Sequence, residues 1–122
     1  LLDERKMSFV AFSPLSQGIL LGKYKVGQTY EFEEGDHRKR SSQFKDENLS
    51  KVLPKISRLK ERFGDTPEKL ARVALQYLLS YPCVACVIPG FRNLGQVQVN
   101  LAGADQPLSA DDVAYVRRAV TD

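Results

Sequence analysis

No apolar run in this 122-residue chain approaches the roughly 20 residues that a membrane span needs. No signal-peptide pattern is present either, so a soluble cytoplasmic protein is the expectation. There is no internal repeat and no low-complexity tract, which excludes solenoid and fibrous classes. A single charge sign does not dominate: 18 Lys and Arg stand against 15 Asp and Glu, a net charge of +3. That is too mild to point to nucleic acid, and Arg38-Lys39-Arg40 follows acidic Glu31, Glu33, Glu34 and Asp36 as a mixed-charge loop. There is one histidine, His37, in that same loop. There are only two cysteines, Cys83 and Cys86, in a C-x-x-C. They fall in Pro82-Cys83-Val84-Ala85-Cys86-Val87-Ile88, which reads as a buried strand. Residues three apart on a strand point to opposite faces, so the pair reads as reduced core thiols rather than a metal or redox site.

What is present is an α/β pattern. At this length there is one domain at most, and 43% hydrophobic residues are enough for a packed core. Met7 to Phe12 reads as a short buried parallel strand. Gly22 to Leu49 is charged and poor in apolar residues, a long loop of the kind used as a lid or binding loop, with disorder as the competing reading. A helix is expected over 50–63, because Leu49, Val52, Leu53, Ile56, Leu59 and Phe63 share one face; Pro54 would then lie near its first turn and Gly64 would stop it. Thr66 caps a second helix with Pro67 at its first position and a stripe of Leu70, Val73, Ala74, Tyr77 and Leu78. Val84 to Ile88 is the second strand. A short helix opens at Asn93 with Gln96 at capping-box spacing. The last helix opens at Ser109, with Asp112 three residues on, Leu108 placed to staple onto Val113, and Val113, Val116 and Val120 as its apolar side. Two strands alone are a poor sheet, so the apolar faces call for a larger partner.

Both strands end in turn chemistry: Phe12-Ser13-Pro14-Leu15-Ser16-Gln17-Gly18 after the first, Ile88-Pro89-Gly90-Phe91-Arg92 after the second. Loops at the C-terminal ends of parallel strands hold phosphorylated ligands in α/β proteins. One loop offers hydroxyl and backbone donors and the other an Arg, two grips suited to one dinucleotide. Ser13-Pro14-Leu15-x-x-Gly18-x-Leu20-x-Gly22-Lys23 resembles the seventh-strand motif of the aldo-keto reductases. Ile88-Pro89-Gly90-x-Arg92-x-x-x-Gln96-Val97-x-x-Asn100 resembles their eighth-strand motif, and the likeness extends over nearly the whole chain, including Asp36-His37-Arg38 and Leu108-Ser109.

The resemblance implies the C-terminal portion of a (β/α)8 TIM barrel. Such a barrel needs roughly 250 residues, so this chain would carry its last third, and its opening Leu1-Leu2-Asp3-Glu4 reads as a helix tail. It implies that 12–18 bind NADP: Phe12 stacked on the nicotinamide, Ser13 donating to the diphosphate, Pro14 fixing the turn, Leu15 packing beneath, Ser16 and Gln17 completing the loop, and Gly18 allowing close approach. Lys23 and Arg38 would grip the diphosphate by charge-assisted bonds. Gly90 and Arg92 would meet the 2′-phosphate of NADPH, so NADP is expected over NAD, and Gln96 and Asn100 would serve the adenine end. The acidic residue that the family carries before the Asn is Val99 here, which implies weaker adenine recognition.

The family's catalytic Tyr, Lys, His and Asp come from earlier strands of the barrel, and no motif in this chain matches them. The expectation is therefore a cofactor-binding piece of a reductase for small carbonyl substrates, without catalytic residues of its own. It would pair with the N-terminal barrel half or self-associate, and bind neither membrane nor nucleic acid. Two other readings remain: a related cofactor-sensing regulatory subunit, and a small truncated α/β module with no ligand.

Overall fold

The computed structural model describes Leu2 and residues 4–122. The expected helix tail at the start of the chain rests partly on Leu1 and Asp3, which lie outside the described residues. The two strands are β1 (Phe9–Phe12) and β2 (Val84–Ile88), and they pair in parallel. Phe9 faces Val84, Val10 faces Cys86, Ala11 faces Val87 and Phe12 faces Ile88, with an irregularity between Phe9 and Val10. The helices are α1 (Asp46–Phe63), α2 (Pro67–Leu79), α3 (Leu94–Leu101) and α4 (Ala110–Thr121). Because β1 and β2 run side by side in the same direction, the loops after Phe12 and Ile88 emerge at one end of the sheet.

Most helix ends follow the local chemistry. The side-chain oxygens of Thr66, Asn93 and Ser109 accept the backbone N–H groups of Lys69, Gln96 and Asp112. Gly64 ends α1 at φ 100°, with its N–H on the Lys60 carbonyl. The start of α1 differs from expectation. It begins at Asp46, not Ser50, so Pro54 sits in the helix interior. Two facts make this tolerable. Asp46 and Glu47 place negative charge in the first turn, where the helix dipole favours it. Ser50 and Pro54 are both exposed, so water reaches the carbonyl that Pro54 leaves without a donor.

Two apolar clusters hold the helices. Leu59, Leu70, Val73, Val116 and Ala119 are buried together, with Phe63, Tyr77, Leu108 and Tyr115 around them. Ile19, Tyr24, Leu49 and Ile56 form the other, with Tyr30, Phe32, Phe44, Val52 and Leu53 packed on it. Each fully buried Leu, Ile or Val contributes about 1.5–3 kcal/mol. The last helix buries Ala119 where Val120 was expected, and Val120 is exposed. In α2 the buried set is Leu70, Ala71, Val73, Leu75 and Gln76. The helix is therefore covered on two sides, by α1 and α4 and by β2 and α3, rather than along the single stripe expected. Gln76 faces the second side and donates to the carbonyls of Gly103 and Ala104 at 3.0 and 2.8 Å.

The strands are not buried as expected. Ala11 is buried, but Phe9, Val10, Phe12 and Ile88 are each about half exposed or more. The sheet has two strands only, so each is an edge, and these apolar side chains stay uncovered among the described residues. For the same reason Cys86 is exposed and Cys83 half-buried; both are free, and neither is a core thiol. No helix among the described residues is long and apolar enough to cross a membrane.

Candidate functional site

The stretch 22–49 is ordered by its aromatic residues. Tyr24 meets Tyr30 and Phe44 edge-on, at centroid distances of 4.9 and 5.1 Å, and Phe32 meets Phe44 at 5.5 Å. These rings close over Leu49 and Ile56 of α1. Short 3₁₀ turns at His37–Arg40 and Ser42–Phe44 complete the segment. The expected structureless loop is thus a packed strap. Its rings are scattered at irregular spacing, so no periodicity announced them.

The strap ends over the loops that leave β1 and β2, and a cleft of about 890 Å³ lies between them. Ser13, Pro14, Leu15, Gln17, Gly18, Lys23, Arg38, Gly90, Arg92, Gln96 and Asn100 all line it. The two sequence motifs, some seventy residues apart, therefore share one concavity. Phe12 and Ser16 do not line it. Phe12 stands 76% exposed at the strand end.

The β1 loop is built on unusual backbone. Ser13, Ser16 and Gln17 have φ of 52°, 45° and 55°, in the left-handed region that costs a non-glycine residue on the order of 1–3 kcal/mol. Strain of this kind concentrates where a fold must aim donors at a ligand. Among the described residues no hydrogen bond engages the Ser13 hydroxyl, although its carbonyl accepts the Ser16 N–H at 3.0 Å. Gly18 follows at φ 93°. A Cβ there would stand 2.9 Å from Cε of Lys23, so only glycine lets the lysine lie across the loop. The Lys23 ammonium sits 5.6 Å from the Tyr24 ring centroid.

Arg38 is held from several sides. Its guanidinium binds the Asp36 carboxylate through Nε and Nη2, reaches the Tyr24 hydroxyl at 3.4 Å and lies 4.6 Å over the Phe32 ring. The Asp36 carboxylate also accepts the Arg38 backbone N–H. These bonds hold its pKa well below the usual carboxylate range, and Arg92 Nη1, 3.9 Å away, adds to the effect. One carboxylate thus faces both arginines of the cleft. Sequence reading treated Asp36 as loop charge; an acidic residue two positions before Arg38 was the available signal. His37 beside it is 71% exposed, with Nδ1 4.0 Å from the same carboxylate.

The β2 loop is fastened to α3. The Arg92 N–H donates to Gln96 Oε1 at 2.6 Å, and Asn100 Nδ2 donates to the Gly90 carbonyl at 2.8 Å. Asn100 is 5% exposed. Both side chains fix the Gly90–Arg92 turn across the start of the helix. The Arg92 guanidinium itself is 63% exposed and points into reach of the cleft. The free amides at the α3 N-terminus lie beside it, a setting suited to an anion. With Lys23 and Arg38 this gives three cations around a partly apolar cleft whose lining also carries Glu33, Glu34 and Asp36, the last paired with Arg38; Lys23 and Arg92 are the cations left to meet phosphate groups. No cluster of metal-binding side chains occurs among the described residues.

Residues 1–121 match the sequence model of the aldo/keto reductase family. An uncharacterized oxidoreductase of Mycobacterium tuberculosis is 39% identical over 113 residues, 93% of this chain and 32% of its own length. Aldo-keto reductase str7 of Strobilurus tenacellus is 32% identical over 118 residues, 94% of this chain and 34% of its own length. Aldo-keto reductase yakc of Schizosaccharomyces pombe, whose name carries NADP(+), is 29% identical over 119 residues, 95% of this chain and 34% of its own length. The chain spans about a third of the length of these relatives. Motif pair, parallel strands, shared cleft and family match agree: the chain belongs to the aldo/keto reductase family.

Proposed function

We propose that this chain is the C-terminal portion of a (β/α)8 barrel and forms the NADP-binding side of a cytoplasmic carbonyl reductase. The observation that carries the reading is the convergence of Ser13, Lys23, Arg38 and Arg92 on one cleft at the C-terminal ends of two parallel strands. The residues fit the cofactor. The Ser13 hydroxyl offers an unengaged donor for a diphosphate. Lys23 flanks it with charge, and Arg92 beside the α3 N-terminus suits a further phosphate, which favours NADP over NAD. The name of the Schizosaccharomyces pombe relative supports the same choice. Gln96 and Asn100 shape the Arg92 turn, and through it the adenine end. NADPH supplies the hydride when bound. The residues of this chain bind and orient it, and the proton donor for a small carbonyl substrate comes from other strands of the barrel.

The experiment is a fluorescence titration of the full-length protein with NADPH, followed by NADPH oxidation with an aldehyde panel such as nitrobenzaldehyde. Saturable NADPH binding and aldehyde-dependent oxidation are expected. A protein that binds no NADPH would end the reading. This chain alone, assayed the same way, is expected to show no turnover above a His37→Ala variant and a blank.

A further inference from the structure

Two lysines lie across two glycines at the end of the β1 loop. Lys23 crosses Gly18. Lys60, on α1, crosses Gly22, the residue just before Lys23: a Cβ on Gly22 would collide with Cε of Lys60. Gly22 closes the 3₁₀ turn Ser16–Leu21 at φ 67°, and its carbonyl accepts the Lys60 ammonium at 3.1 Å. Among the described residues this is the only hydrogen bond that reaches 16–23 from outside the loop. The same ammonium pairs with Asp65 at 2.9 Å, in the turn between α1 and α2. Lys60 does not line the cleft, whereas Lys23 does.

Resting on the cofactor reading above, we propose that Lys60 is a positioning residue for that site: it fixes the Gly22 peptide and thereby aims the Lys23 ammonium at the cofactor diphosphate. The chemistry suits the task. A lysine side chain is flexible and loses much rotamer freedom when it settles on a ligand, so a fixed starting point reduces that loss. Glycine is the residue whose backbone turns most freely, which makes Gly22 the pivot that needs holding. An ammonium on its carbonyl gives a charge-assisted bond, firmer than a neutral one. Gly22 and Lys60 are 38 positions apart, so only the packing of α1 on the loop brings them together.

The test is a double-mutant cycle on the full-length protein, with NADPH and NADH binding read by fluorescence titration and unfolding followed in urea. Lys60→Met keeps an apolar stem over Gly22 and removes the ammonium. Its ionic partner Asp65 is 69% exposed, so the pair adds little to the fold and the variant should unfold close to the parent. It should bind both cofactors about three- to tenfold more weakly, because the diphosphate is common to them. Lys23→Met should weaken both as well, and adding Lys60→Met to it should cost nothing further, since Lys60 acts through Lys23. Lys60→Arg, which keeps a charge and a donor, should restore binding to the parent's level. Unchanged cofactor binding by Lys60→Met would overturn the proposal, whatever happens to its unfolding midpoint. So would an equal further loss in the Lys23→Met background, which marks a general charge effect rather than positioning. In both cases the parent still binds NADPH and the cofactor reading stands; a parent that binds no NADPH would sink that reading, and this proposal with it.

Discussion

Replacing Arg92 with alanine separates NADPH from NADH if the cleft is the site we infer. The side chain is 63% exposed, and its one ionic contact among the described residues is Asp36 at 3.9 Å. An exposed pair at that separation contributes little to the fold. The turn that carries Arg92 is held by backbone, through its N–H on Gln96 Oε1 and through Asn100 on the Gly90 carbonyl. Both bonds survive truncation, so Arg92→Ala should fold normally. A charge-assisted hydrogen bond to a phosphate is worth about 1.5–3 kcal/mol. At about 1.4 kcal/mol per factor of ten, NADPH binding should weaken roughly ten- to a hundredfold. The loss falls toward the upper end of that range because Asp36 keeps its negative charge on the same wall once Arg92 is gone. NADH has no 2′-phosphate and should barely move. Ser13→Ala, which touches the shared diphosphate, should weaken both cofactors alike. Fluorescence titration of each variant with each cofactor reads this directly. An equal effect of Arg92→Ala on NADH and NADPH would show that Arg92 is structural or reads another part of the ligand, and the NADP choice would fall.

Two further outcomes follow from the geometry. The Asp36 carboxyl titrates lower in the fold than its ordinary 3.8, because Arg38 binds its charged form. Its contribution to stability is therefore complete above about pH 4 and disappears as pH falls below it. Urea unfolding midpoints from pH 6 down to pH 2.5 should fall less steeply for Asp36→Asn than for the parent; parallel curves would contradict the ion-pair assignment. Phe9, Val10, Phe12 and Ile88 leave apolar surface uncovered on the two strands, so the isolated chain should self-associate at high micromolar concentration, and a compact monomer by light scattering would refute this.

Much of this protein was settled by its sequence. The caps at Thr66, Asn93 and Ser109, the stop at Gly64 and the strand 84–88 depend on residues within a few positions of one another, so local chemistry decides them. The two loop motifs were legible for the same reason, and their order and spacing carried the family. Only the tertiary structure decided how the site is built. Four aromatic rings turn a charged loop into a strap because they meet across 20 residues, and no short pattern records such contacts. Asp36 gains its role by lying between Arg38, two residues away, and Arg92, which only the pairing of β1 with β2 brings near. Asn100 reads as a ligand residue in the motif, yet the turn of α3 aims its amide at Gly90. Burial was misread for one physical reason: an apolar strand looks buried from its sequence whether or not anything covers it.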